Sequence, residues 1–175
     1  MSDNPALPTP RVYALLLRQD DPKKCTAAKL VKFGFAHPLY KLRQVPRGSL
    51  VLNPFAGGLL LSRDRVETLK HGLVAVDCSW ENVQATFAIR LPGEGRRLPT
   101  LLASNPVNYA KPHKLSSLEA LAASLYIMGF PERAAQLLAM FKWGPNFLVL
   151  NREPLAAYAS AKNEQELLSV ESEFF

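Results

Sequence analysis

Four short apolar runs separated by segments of helical character constrain this chain's fold more than any other feature. The runs are RVYALLLR at 11–18, GSLVLNP at 48–54, LVAVD at 73–77 and LPTLLAS at 98–104. Each is four to eight residues long or close to it, and each reads as a strand. None alternates strictly between apolar and polar positions, so the strands are expected to be covered on both faces, as in mostly parallel sheets. The intervening segments carry helix signals: AAKLVKFG follows Thr26, Ser62 is placed to cap RDRVETLKH before Gly72, and ENVQATFAIR follows Trp80. From Leu115 onward the pattern is helical throughout. SSLEALAASLYIMG sets Leu118, Leu121, Ala122 and Leu125 at helical spacing, and Ser116 with Glu119 forms a capping box. Pro131 then starts ERAAQLLAMF, and FLVLN, REPLAAYAS and NEQELLSVESEFF read as further helices. The expected fold is α/β, with an α/β domain over residues 1–114 and an all-α C-terminal part over 115–175.

The chain has 175 residues, 48% of them hydrophobic, enough for one compact core. No apolar run approaches the roughly 20 residues that span a bilayer, and the start MSDNPALPTP has no signal-peptide character, so a cytoplasmic protein without membrane association is expected. Two cysteines, Cys25 and Cys78, lie far apart, and the three histidines are scattered, so no metal site is expected and both thiols read as reduced and structural. The net charge of +6 is unevenly distributed: residues 1–114 carry +9 and residues 115–175 carry −3. Lys and Arg clustered in this way suit a polyanion.

The polar loops follow the apolar runs: QDDPKKCT, NPFAGG, DCSW and SNPVNYAKPHK. In open α/β sheets the carboxyl ends of the strands form the ligand edge. Neither GxGxxG nor GxxxxGK[ST] occurs, so a nucleotide-like ligand would be held by backbone groups. In DCSW, Asp77 or Ser79 reads either as the cap of the next helix or as part of a ligand site.

DDPKKCTAAKL, VDCSW, RRLPTLLASNPVNYAKPHKLSSLEALAASLYIMG and FKWGPNFLVLN occur in order between Arg11 and Asn151. Together they resemble the signature blocks of the small-subunit ribosomal RNA aminocarboxypropyltransferases. The resemblance implies a SPOUT-like, mostly parallel sheet with a deep trefoil knot and S-adenosylmethionine as group donor. It implies transfer of the 3-amino-3-carboxypropyl group to N3 of a hypermodified uridine, commonly N1-methylpseudouridine, in small-subunit rRNA. Two glycines of the family pattern are replaced, by Ala27 and Ala110, and a positive φ at either would be strained.

Carried over from that resemblance, Thr26 contacts the methionine part of the cofactor, Val76 offers backbone groups to the ribose, and Trp80 packs on the transferable chain. Leu52, Leu101, Ser116 and Ala120 lie in blocks that form the adenosine pocket. The plain alternatives stay open: Thr26 also suits a helix cap, and Leu52, Val76 and Leu101 suit a core. Asp77 is the candidate base for the imide proton, or else orients the cofactor's cationic groups. Lys23, Lys24, Lys29, Arg43, Arg47, Arg96, Arg97, Lys111 and Lys114 are the candidate phosphate contacts, with Trp80 or Tyr109 placed to receive an unstacked base. An RNA methyltransferase using the same cofactor and a non-catalytic RNA-binding assembly factor are the competing readings. A monomer is expected, because the all-α part would cover the surface through which knotted methyltransferases pair.

Overall fold

In this computed structural model residues 8–17, 23 and 25–175 are described. Five parallel strands form one sheet in the order β2-β1-β4-β3-β5: β1 Val12–Leu16, β2 His37–Leu39, β3 Leu50–Leu52, β4 Leu73–Asp77 and β5 Glu94–Arg96. Helices α1 (Thr26–Lys32), α2 (Arg65–His71) and α3 (Val83–Ala88) connect them. Five more follow: α4 Ser117–Ile127, α5 Pro131–Leu138, α6 Pro145–Leu150, α7 Arg152–Ser160 and α8 Glu164–Phe174.

The uninterrupted apolar runs give strands buried on both faces, as the sequence pattern predicts for parallel strands. In β4, Leu73 and Ala75 enter the main core with α1 and α4, whereas Val74 and Val76 enter a smaller core with Phe87 of α3. Asp77 continues the first parity, toward α1 and α4. Helix α4 has Leu118, Leu121, Ala122, Ala123, Leu125 and Ile127 all buried. It is the central helix between sheet and helical layer, which explains why it is apolar all round. Its capping box forms as expected: Ser116 Oγ accepts from Glu119 N, and Glu119 Oε2 accepts from Ser116 N. Gly72 ends α2 at φ 95°, and a Cβ there would lie 2.6 Å from the Tyr13 ring.

Three local expectations are corrected. HPL and EGR carry no strand signal, yet they form β2 and β5; both are three-residue edge strands, too short and polar to show a pattern. Ser62 does not cap α2: residues 62–64 form a 3-10 turn, and Asp64 Oδ2 accepts instead from Leu61 N at 2.9 Å. LPTLLAS is extended but belongs to no strand of the sheet. On one side it is bonded by helix side chains at every second residue. Glu171 of α8 accepts from Thr100 N (2.6 Å), Asn151 accepts from Leu102 N (2.8 Å), and Glu119 of α4 accepts from Ser104 N (2.5 Å). On the other side, the chain folds back antiparallel, with Ala110 N donating to Ala103 O (2.7 Å) and Ala103 N to Lys111 O (3.1 Å). The segment thus satisfies its backbone without a sheet partner.

Candidate functional site

Adjacent strands β1 and β4 send their following segments to opposite faces of the sheet. The chain after β1 leads to α1, whose Ala27 and Leu30 pack in the main core; the chain after β4 leads to α3, whose Phe87 packs in the smaller one. A crevice at the carboxyl ends of such a pair is the usual ligand position in open α/β sheets. On its other side β4 also outruns β3: that ladder ends at Val51–Val74, while the β1–β4 ladder continues to Leu16–Asp77.

Cys25 links the two sides of this crevice. Its thiol donates to Asp77 Oδ2 at 3.0 Å, and its sulfur accepts from Ala28 N at 3.2 Å, capping α1. Burial, and then the bond to Asp77, push the thiol up to about 12, so the proton stays on sulfur at neutral pH. The cap of α1 is therefore Cys25 and not Thr26. Thr26 Oγ1 instead accepts from Leu118 N at 3.4 Å, joining the starts of α1 and α4. Asp77 and Ser79 do not cap α3, which begins at Val83 without a side-chain cap at Asn82. Asn82 rather donates to Ser79 through its backbone (3.0 Å) and side chain (2.9 Å).

Trp80 is half-buried, and Lys114 Nζ lies 4.7 Å from its ring centre, a cation–π contact that brings the 104–116 loop onto the DCSW segment. Glu119, wholly buried, holds that loop: its carboxylate accepts from the backbone of Ser104, Asn105 and Ser116 and from Asn105 Nδ2. Asn105 Oδ1 accepts in turn from Asn108 N. Sequence reasoning saw Glu119 only as a cap. It did not single out the Cys25–Asp77 contact, although the KCT block preceding a helix pointed to the position.

Of the other candidates, Ser116 is at the start of α4 and Ala120 one turn on, partly buried against the main core. Leu52 and Leu101 are core residues on the α4 side of the sheet, whereas the Val76 side chain faces α3. Lys111 and Tyr109 are exposed on the 104–116 loop, and Arg97 follows β5. Lys29 lies on α1 with Nζ 5.3 Å from the Phe141 ring centre. Arg96 is committed to carboxylates, at 2.7 Å from Glu94 and 3.4 Å from Asp64. Arg43 is exposed beyond the end of β2, and Lys23 is exposed before α1. Arg47 precedes β3 at the amino edge of the sheet, away from the crevice. Lys24 lies outside the described residues. Two grooves, of about 300 and 360 Å³, lie among Tyr126 and α6–α8 and touch no strand end.

Residues 50–175 match the family described as ribosome biogenesis protein, C-terminal. Residues 10–41 match a segment described as a possible Fer4-like domain in RNase L inhibitor. That segment here contains a single cysteine, Cys25, with its proton held against Asp77, which does not fit the several thiolates an iron–sulfur cluster requires. The 16S rRNA aminocarboxypropyltransferase of Methanopyrus kandleri is 48% identical, over 93% of this chain and 97% of that protein. The enzyme of the same name from Vulcanisaeta distributa is 45% identical, over 93% and 90%. The solved structure of the SAM-dependent rRNA:acp-transferase Tsr3 from Vulcanisaeta distributa superposes with a TM-score of 0.84 at 41% identity, covering 94% of this chain and 95% of that one. With that overlap in sequence and fold, the chain belongs to the 16S rRNA aminocarboxypropyltransferase family.

Proposed function

We propose that this chain transfers the 3-amino-3-carboxypropyl group of S-adenosylmethionine to N3 of a hypermodified, N1-methylpseudouridine-type uridine in small-subunit ribosomal RNA. The observation that carries the reading is the convergence of Asp77, Trp80, Thr26 and the start of α4 on one crevice at the carboxyl edge, in a chain of this family. The crevice suits the donor: the β3–β4 ladder has already ended there, Leu52 at the end of β3 belongs to the main core on the α4 side, and the rim is backbone from strand ends and a helix start. Bound there, the donor supplies a sulfonium with three displaceable carbons, and orientation alone selects among them.

In this reading Trp80 packs against the aminocarboxypropyl chain and turns it toward the RNA. Thr26 binds the methionine end, Val76 offers backbone groups to the ribose, and Leu52, Leu101, Ser116 and Ala120 surround the adenosine. Asp77 takes the N3 proton of the uracil as N3 bonds to the γ-carbon; the carbon–sulfur bond breaks with its electron pair on sulfur, and methylthioadenosine leaves. A carboxylate serves because the imide is mostly protonated at neutral pH.

The knotted, SPOUT-like path belongs to the same proposal, supported by the insertion of β4 between β1 and β3 and by the extended 98–104 segment clasped between helices. So does the division at residue 114, with the basic part meeting RNA and the helical part completing the cofactor pocket. The protein works as a cytoplasmic monomer in this proposal; among the described residues no helix is long and apolar enough to cross a membrane.

The test uses two labelled donors, one labelled in the methyl group and one in the carboxyl group, with small-subunit rRNA lacking the modification. Label is expected in RNA from the carboxyl-labelled donor only, with methylthioadenosine as co-product. Label from the methyl-labelled donor only would make the protein a methyltransferase, and label from neither would leave an RNA-binding assembly factor.

A further inference from the structure

Cys25 occupies a position that ordinary helix capping does not explain. Ser, Thr, Asp and Asn are the favoured caps, and a thiol is a weaker acceptor than any of them. Yet Cys25 is only 7% exposed, and its sulfur accepts from Ala28 N at 3.2 Å and donates to Asp77 Oδ2 at 3.0 Å. An aspartate at 25 would cap α1 better but would face the Asp77 carboxylate with like charge. The thiol does both jobs: it closes α1 and hands a proton-bearing group across the crevice between the segments that follow β1 and β4.

We propose that Cys25 is a positioning residue for the transfer, its S–H holding the Asp77 carboxylate at the carboxyl edge and favouring its ionised form. The inference rests on the assignment of Asp77 as base made above. Other ionisable groups lie on the elements packed against this pair. Lys29 of α1 lies by Phe141, Lys114 lies over Trp80, and Glu119 of α4 is bound to Ser104, Asn105 and Ser116. Lys23 precedes α1, and Cys78 directly follows Asp77. Leu16 and Leu52, from β1 and β3, bring no charge. A donor to the ionised carboxylate lowers its pKa, so losing that donor moves the acid limb of the rate profile to higher pH.

Two measurements on the full-length protein test this. The first is the pH dependence of kcat/KM for Cys25→Ala, Cys25→Ser and Asp77→Asn. Cys25→Ala should shift the acid limb upward by about one pH unit, equivalent to a tenfold loss below the limb; Cys25→Ser, which caps and donates, should restore the wild-type profile. A Cys25→Ala profile that keeps its limb, beside an inactive Asp77→Asn, would leave the base assignment standing and reduce Cys25 to a cap. Full activity of Asp77→Asn across neutral pH would remove the base assignment and this inference with it. The second measurement needs no turnover: the S–H infrared band of the cofactor-free protein, in a Cys78→Ser background, should lie at the hydrogen-bonded frequency and move to that of a free thiol in Asp77→Ala. An S–H band indifferent to Asp77→Ala overturns the inference whatever the activities.

Discussion

Ala110 holds a backbone conformation that favours glycine, with φ 60° in the turn where its N–H donates to Ala103 O at 2.7 Å. The left-handed region costs a residue with a Cβ roughly 1–2 kcal/mol, against about 0.5–1 kcal/mol of extra backbone entropy that glycine loses on folding. Ala110→Gly should therefore raise stability by about 0.5–1 kcal/mol, read as a higher urea midpoint with an unchanged slope. A lower midpoint would mean that the turn tolerates Ala without strain. Ala27, the other departure from the family pattern, behaves oppositely. It is fully buried inside α1, where helical backbone suits alanine, so Ala27→Gly should be destabilising. One replacement is harmless and the other strained, and only the backbone angle separates them.

At the scale of elements, the 98–104 segment shows how side chains replace a neighbouring strand. Asn151, wholly buried, accepts from Leu102 N (2.8 Å) and donates to Leu102 O (2.9 Å) and Phe147 O (3.0 Å). Tyr158 adds a bond from its hydroxyl to Thr100 O at 3.0 Å. Asn151→Ala strips the partners from the part-buried N–H and carbonyl of Leu102, while Phe147 O keeps its bond from the backbone N–H of residue 151 (3.1 Å), and should cost about 2 kcal/mol. Urea unfolding measures it, and a loss under about 0.5 kcal/mol would show that the clasp contributes nothing. The same element marks the limit of sequence reading. The short apolar run identifies LPTLLAS as extended, because burial on both sides leaves that trace. It assigns the wrong partner, because acceptors at 119, 151 and 171 are set by tertiary structure. The candidate site divides likewise: Thr26, Asp77, Trp80 and Ser116 stand out as motif residues next to strand ends and helix starts, whereas the Cys25–Asp77 bond spans 52 positions and leaves no local pattern.

Across the whole molecule, the uneven charge acquires a geometry. Arg97 and Lys111 lie at the carboxyl edge or on the loop that packs onto it, with Lys114 over Trp80, while Arg47 sits at the opposite edge and Arg96 is paired with Glu94 and Asp64. Sequence alone weights these residues equally; the fold does not. If RNA phosphates meet the crevice side, each cation there releases counterions on binding, and the logarithm of affinity falls with the logarithm of salt in proportion to their number. Arg97→Ala with Lys111→Ala should weaken rRNA binding and reduce that slope by about 1–2 units, leaving S-adenosylmethionine affinity near wild type. Arg47→Ala should leave the slope unchanged. Arg96→Ala belongs to a different class, since it leaves the partly buried Asp64 without its cation and should lower stability before it alters RNA binding. Titrations of unmodified small-subunit rRNA at several salt concentrations separate these outcomes. A slope that falls for Arg47→Ala and not for the Arg97–Lys111 pair would place the RNA on the amino edge of the sheet, and the crevice would then not be where the modified base is received.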